Sequence, residues 1–252
     1  MLHELKPIGI GSGLSEFRKN SWYMIKNHTM YIFDCPMDNV RFFASKEGRD
    51  ILKTVKKVVV FITHLHEDHI GGLSMFFFLI NKQYNRDFFL FAPVKIWMHV
   101  TNYVAIVGGS TADMNLLKGD YYEDENLQVF PREVSHCDIP AFAYVVYADA
   151  YIDETSGDNW NIYYSGDNFN FADEAIISSF VKDPKDKLIY HEITFNPNSN
   201  CHCYKDKIIY EKRIPKELRK KIIPMHIEKL GDFKKTLKYG LGLPENYEDL
   251  MK

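Results

Sequence analysis

The apolar run Val58-Val59-Val60-Phe61-Ile62 leads through Thr63 straight into His64-Leu65-His66-Glu67-Asp68-His69. No other stretch restricts the fold so strongly. An uninterrupted run of β-branched and aromatic residues reads as a strand buried on both faces. Four side chains of metal-ligand type, His64, His66, Asp68 and His69, then fall within six residues. In an extended segment His64 and His66 project the same way at period two. The turn that follows can aim Asp68 and His69 at a second, nearby position. Gly71-Gly72 then permit a tight turn and close backbone approach before a helix. One segment at the edge of a sheet can therefore supply ligands to two adjacent ions.

The same pattern recurs along the chain. Asn161-Ile162-Tyr163-Tyr164 ends at Asp167, Leu188-Ile189-Tyr190 ends at His191-Glu192, and Ile222-Ile223-Pro224-Met225 ends at His226. A buried strand that ends in polar side chains holds them rigidly at one sheet edge. Strands are expected over Trp22–Lys26, Met30–Asp34, Lys57–Thr63, Val94–His99, Phe142–Tyr147, Asn161–Tyr164, Lys187–His191 and Lys221–Met225. Helices are expected over Gly72–Tyr84, Phe171–Val181 and Phe233–Tyr239. Helices interspersed with many strands give an α/β layered fold. The 252 residues show no repeat or linker and fit one domain.

Composition excludes some functions. The formal charge is −3, from 31 basic and 34 acidic residues. Binding to long nucleic acid runs on a basic excess, which is missing here. Four cysteines, Cys35, Cys137, Cys201 and Cys203, give no disulfide framework in a chain this large. Cys201-His202-Cys203 lacks a fourth ligand and follows the turn-forming Asn196-Pro197-Asn198-Ser199-Asn200, so it reads as a turn and not as a separate zinc site. The N-terminus has no signal-peptide pattern, and the longest apolar run, Met75 to Ile80, is too short to span a bilayer. A cytoplasmic protein with no membrane partner is expected. Val100 to Glu125 reads as a surface loop or subunit contact, although Tyr103 and Tyr121-Tyr122 could stack on a base.

Thr63 to Leu73 resembles the HxHxDH signature of the metallo-β-lactamase superfamily. The resemblance implies a four-layer αβ/βα sandwich with metals at one edge of the sheets. His136, before Asp138-Ile139-Pro140, resembles the family's third histidine. Asp167, in Ser165-Gly166-Asp167, resembles the bridging aspartate, and His226 resembles the final histidine. On that carry-over one ion takes His64, His66 and His136, the other takes Asp68, His69 and His226, and Asp167 bridges them. Two divalent ions per chain are implied, with zinc the expected metal, although the ligand types also suit Mn, Fe and Ni.

Two further segments narrow the branch. His191-Glu192-Ile193-Thr194 resembles the HEAT motif of ribonuclease Z and its phosphodiesterase relatives. This implies His191 as the general acid and Glu192 as the group that orients it. In a two-metal site Asp68 or Asp167 can orient the attacking water. Gly9 to Gly13, followed by Arg18-Lys19-Asn20-Ser21, resembles the ribonuclease Z opening. The long arm with which that enzyme grips tRNA is missing: only Cys137 to Gly166 lies in its place, including the acidic loop Asp153 to Asp158. The arm-less pattern resembles the ribonuclease Z-like phage anti-Pycsar family. That implies hydrolysis of 3′,5′-cyclic nucleotides, pyrimidine and purine, to linear monophosphates by a homodimer. The alternative is an RNA 3′-end endonuclease.

Overall fold

In this computed structural model, which describes residues 4–109, 113–148, 159–244 and 247, strand alternation sorts the side chains into two cores. The first sheet runs β1 (Lys6–Gly9), β2 (Ser21–Lys26), β3 (Thr29–Phe33), β4 (Lys57–Phe61), β5 (Asp87–Pro93) and β6 (Asn115–Gly119), in that order, with β3 to β6 parallel. Along β3 and β4, Tyr31, Phe33, Val59 and Phe61 point between the sheets. Met30, Ile32, Val58 and Val60 point the other way, against helices α1 (Met37–Ala44), α2 (Lys46–Leu52), α3 (Glu67–Ile70), α4 (Leu73–Phe77, continued as a π-helical turn to Gln83) and α5 (Val94–Ile106). This double burial is why the run Val58 to Ile62 before His64 has no polar positions.

The second sheet holds β7 (Tyr122–Glu123), β8 (Gln128–Val134), β9 (Ala141–Tyr147), β10 (Ile162–Tyr164), β11 (Leu188–Glu192) and β12 (Ile222–Met225). Strands β10, β11 and β12 are parallel, so their carboxyl ends share one edge. Helix α6 (Glu174–Lys182) packs on this half, with Phe180 stacked on Trp160. Short α7 (Asp206–Ile209) and α8 (Leu230–Lys238) complete the chain. Two sheets face to face with helices outside them are the expected αβ/βα sandwich.

The sheets join where the ligands lie. Phe142 N donates to Thr63 O at 3.0 Å, and Ile227 N donates to Ile10 O at 2.7 Å. The other end of β4 is closed by protein alone. There Tyr31, Tyr122 and Lys57 all contact the half-buried Asp124 carboxylate.

Several expectations are corrected. Val94–His99 is not a strand: Ile96, Val100 and Val104 are buried at a spacing of four while Lys95, Met98 and His99 are exposed, which is helical periodicity. The parallel strand is the preceding Asp87–Pro93, ended by Pro93. Most of Val100 to Glu125 lies in α5, β6 and β7 and is not a loop. Tyr122 is in the core and Tyr121 stacks on Phe130, so the fold uses these rings. Ser110 and Thr111 of that stretch, and the acidic loop Asp153 to Asp158, lie outside the described residues. Cys137 and Cys201 form a disulfide with Cα atoms 4.7 Å apart. A sequence separation of 64 hid that pair. Among the described residues no helix is long and apolar enough to cross a membrane.

Candidate metal centre

The segment after β4 places three imidazoles around one point. His64 Nε2 and His136 Nε2 each lie 3.1 Å from His66 Nδ1. Three lone pairs converging at that distance satisfy one another poorly, but they fit a shared cation. The far nitrogens are committed elsewhere. Thr63 Oγ1 donates to Asp34, so it accepts from His64 Nδ1–H at 3.0 Å. His136 Nδ1–H donates to the Cys201 carbonyl at 3.0 Å. Burial holds His64 well below the ordinary histidine range and lowers His136 to about 4. Both rings are therefore neutral near pH 7, which is the metal-binding form.

A second group forms beside the first. Asp68 Oδ2 lies 3.6 Å from His69 Nε2 and 3.2 Å from His226 Nε2. Asp167 stands between the two groups. Its Oδ2 is 3.8 Å from His64, 3.6 Å from His136 and 3.3 Å from His226, and its Oδ1 is 3.3 Å from His69. Gly166 brings Asp167 there: at φ +54 a Cβ would lie 2.8 Å from Phe142 O and 2.9 Å from Thr63 Cγ2. Gly72 acts through close approach, because a Cβ there would sit 2.2 Å from Pro36 O.

The donor set fits cations on two observations. The described residues that could hold an ion fall into His64, His66, His136 and Asp167, and Asp68, His69 and His226, with a third grouping of Asp167, Glu192, His202 and His226. His69 Nε2 and Asp167 Oδ1, both buried, have only each other at 3.3 Å and make no well-aligned hydrogen bond among the described residues. Buried polar atoms this poorly satisfied suit a cation placed between them. Burial alone would raise Asp167 and lower His69. The surrounding histidines and the carboxylates of Asp167 and Asp34 override it, holding Asp167 well below its usual range and His69 well above.

Sequence reasoning missed Asp34, which lies beyond the end of β3 and carries no motif. It is buried at φ +65, accepts from Thr63 N at 2.9 Å and Thr63 Oγ1 at 2.8 Å, and takes the His69 Nδ1–H at 2.9 Å. Tyr164 OH donates to the same carboxylate at 3.1 Å, and Asn20 Nδ2 donates to Tyr164 OH at 2.9 Å. Asp34 thus fixes the ring of His69. Asp34→Asn is expected to weaken metal binding by about 10- to 100-fold, the scale for a partner of a liganding histidine. Chelator competition measures it, and an unchanged affinity would show that His69 needs no partner.

The expectation for His191 is corrected. Successive residues of β11 face opposite ways, so His191 and Glu192 cannot share a site. His191 is fully buried with its ring against Tyr163 and Phe171, and its Nδ1–H donates to the Glu192 carbonyl at 2.8 Å. Glu192 faces the cluster, where its Oε1 accepts from Asn168 N and its Oε2 takes the His202 Nδ1–H at 2.7 Å. His202 Nδ1 is also 3.7 Å from Asp167 Oδ2, and the side chain is 28% exposed. The Cys201-His202-Cys203 segment is therefore no separate zinc site: Cys201 is in the disulfide, Cys203 is buried, and His202 joins the main cluster.

His66, Asp68, Asp167, His202 and His226 line a cavity of about 790 Å³ whose walls include Ser12, Gly13, Leu14, Thr194, Glu228 and Lys229. That size suits a small ligand. The cavity, the converging imidazoles and the adjacent Glu192–His202 pair together suit metal-dependent hydrolysis.

Known proteins agree with this geometry. Human tRNase Z, short form, superposes with a TM-score of 0.63 at 17% identity over 95% of both chains. The metallo-beta-lactamase fold protein YhfI from Bacillus subtilis gives 0.62 at 12% identity, over 95% of this chain and 93% of that one. A diphosphatase of the PhnP family gives 0.61 at 14% identity, again over 95% and 93%. These likenesses establish the metallo-β-lactamase fold. The metallo-beta-lactamase IND-1 of Chryseobacterium indologenes is 32% identical over 81 residues, which is 30% of this chain and 31% of the relative's length. The family model for the anti-Pycsar protein Apyc1 matches residues 3–238, nearly the whole chain. The fold, the His/Asp cluster and a match of that extent make this chain a metal-dependent hydrolase that belongs to the anti-Pycsar Apyc1 family.

Proposed function

We propose that this chain is a two-metal phosphodiesterase that opens 3′,5′-cyclic nucleotide monophosphates, pyrimidine and purine alike, to linear monophosphates. In that role it removes a cyclic-nucleotide immune signal from the host-cell cytoplasm, acting as a homodimer. One observation carries the reading: a His202–Glu192 pair, bonded at 2.7 Å, stands against the His/Asp cluster at the cavity wall. The chain's family and its charge of −3 support a small substrate over a long RNA.

His64, His66 and His136 would hold one divalent ion, zinc being the expected metal, and Asp68, His69 and His226 the other, with Asp167 between them. When bound, the ions supply charge to the phosphoryl oxygens and make water a better nucleophile at neutral pH. The protein supplies the rest. Asp68 orients the attacking water from the rim of the cluster. Water oxygen bonds to phosphorus, one phosphorus–oxygen bond to ribose breaks, and the ribose oxygen leaves with a proton. An alkoxide is a poor leaving group, so a placed acid matters. With Nδ1 tied to Glu192, His202 has Nε2 free to give that proton, and it recovers one from the attacking water.

The test is turnover of purified, metal-analysed protein on a panel of 3′,5′-cyclic nucleotides, with a precursor tRNA alongside. Linear monophosphates with intact tRNA are expected. Cleaved tRNA with intact cyclic nucleotides would overturn the reading in favour of the ribonuclease.

A further inference from the structure

The one covalent link between distant loops lies against the site. Cys137 directly follows His136, and Cys201 directly precedes His202. We propose that the Cys137–Cys201 bridge is a redox-set clip that positions His136 and His202 together, so that closing it makes the site competent and opening it loosens both rings.

Three observations support this. First, the two loops depend on each other in detail. The His136 ring is oriented by the Cys201 carbonyl at 3.0 Å, and the His136 and His202 rings are 5.2 Å apart. Moving Cys201 therefore moves an acceptor of one histidine and the backbone of the other. Second, apart from the His202–Glu192 bond at 2.7 Å, the segment carrying His202 is held at its tip mainly by its own local turns. Its base is pinned where Thr194 N donates to Cys203 O at 2.9 Å and Lys205 N donates to Thr194 O at 3.0 Å. The tip is a run of local turns, with Ser199 N on Asn196 O at 3.2 Å and His202 N on Ser199 Oγ at 3.0 Å. Third, Cys137 sits at φ +42, a left-handed conformation that a non-glycine residue keeps only when its surroundings hold it there. The bridge is also reachable, because Cys137 is exposed and Cys201 is half-buried.

Exposed disulfides are the labile and regulatory ones where dithiol reductants are present. A dithiol thiolate attacks one bridge sulfur, the S–S bond breaks and a mixed disulfide forms. The second thiolate of the reductant then closes its own disulfide and releases the remaining sulfur. Two electrons pass to the protein, which leaves with Cys137 and Cys201 as thiols. The reverse exchange with an oxidised dithiol closes the clip.

The experiment uses the full chain loaded with zinc, before and after a water-soluble phosphine that reduces disulfides without chelating. Non-reducing peptide mapping should link Cys137 to Cys201, and free thiols at both positions would overturn the proposal. Chelator competition should show metal held about tenfold less tightly after reduction, as for a lost partner of a liganding histidine. The turnover arm rests on the phosphodiesterase reading. Cyclic-nucleotide kcat should fall about tenfold, because a loosened acid keeps part of the roughly 10²- to 10⁴-fold that a placed one contributes. Hydrolysis of bis(p-nitrophenyl) phosphate, whose leaving group departs without a proton, should fall far less. An equal loss on both esters would reduce the bridge to a staple and overturn the positioning of His202. The double variant Cys137→Ser/Cys201→Ser should match the reduced protein and ignore the phosphine, and full retention of metal affinity and kcat would overturn the clip. If no cyclic nucleotide is hydrolysed in either state while the chelator difference persists, the substrate reading fails and the clip stands.

Discussion

Asp167→Ala is expected to lose both ions together and to cut turnover by at least ~10³-fold, the upper end of what one preorganised charged group contributes. The expectation follows from position. The carboxylate approaches His64, His136, His226 and His69 within 3.3 to 3.8 Å, so it serves both ligand groups. Among the described residues it is the only carboxylate in the group containing His64, His66 and His136. Without it, that group has imidazoles alone to neutralise a dication. Burial adds to the effect, because no water-filled surface is at hand to screen the charge that remains. Metal content per chain after gel filtration, with turnover on the same sample, measures the outcome. A variant that kept two tightly held ions would remove Asp167 from its bridging place.

The second large effect separates two histidines. His202→Ala should retain metal and lose about 10²- to 10⁴-fold of cyclic-nucleotide turnover, the usual contribution of a placed general acid. His191→Ala should behave in the opposite way. It removes a ring packed on Tyr163 and Phe171 and so lowers stability, while turnover per folded molecule changes little. Thermal denaturation and steady-state kinetics on both variants decide the matter. If His191→Ala abolished turnover while His202→Ala kept it, the geometric assignment would be wrong.

The metal centre was the most legible part of the sequence. A strand buried on both faces followed by ligand side chains is a local pattern, and His64, His66, Asp68 and His69 sit within it. His136, Asp167 and His226 could be read because each follows a strand. The acid was misplaced because adjacency in sequence was taken for adjacency in space, although alternation along β11 already put His191 and Glu192 on opposite faces. His202 lay hidden in a cysteine-flanked turn whose partner, Glu192, is ten residues away. Asp34 gave no signal, since its role depends on Thr63, His69 and Tyr164 from other strands and loops. Helix α5 was mistaken for a strand because Val94 to Val100 is short and apolar enough for either. Only the burial of Ile96, Val100 and Val104 settles it. Helices α1 and α2 were missed because each is short, α1 buries the polar Asn39, and the exposed face of α2 carries Lys46, Glu47, Arg49 and Asp50.

Each ligand group draws side chains from both halves of the sandwich. His64, His66, Asp68 and His69 follow β4 of the first sheet, whereas His136, Asp167 and His226 follow strands of the second. Bound ions would therefore rivet the two sheets along one edge, opposite the edge that Tyr31, Tyr122, Lys57 and Asp124 already close. Resistance to unfolding then becomes a function of free metal concentration. By mass action it gains about 4 kcal/mol at a thousand times the dissociation constant, provided the unfolded chain does not bind the ion. Starved of metal, the ligand edge keeps only protein contacts such as Phe142 N to Thr63 O and Ile227 N to Ile10 O, and becomes the weaker seam of the sandwich.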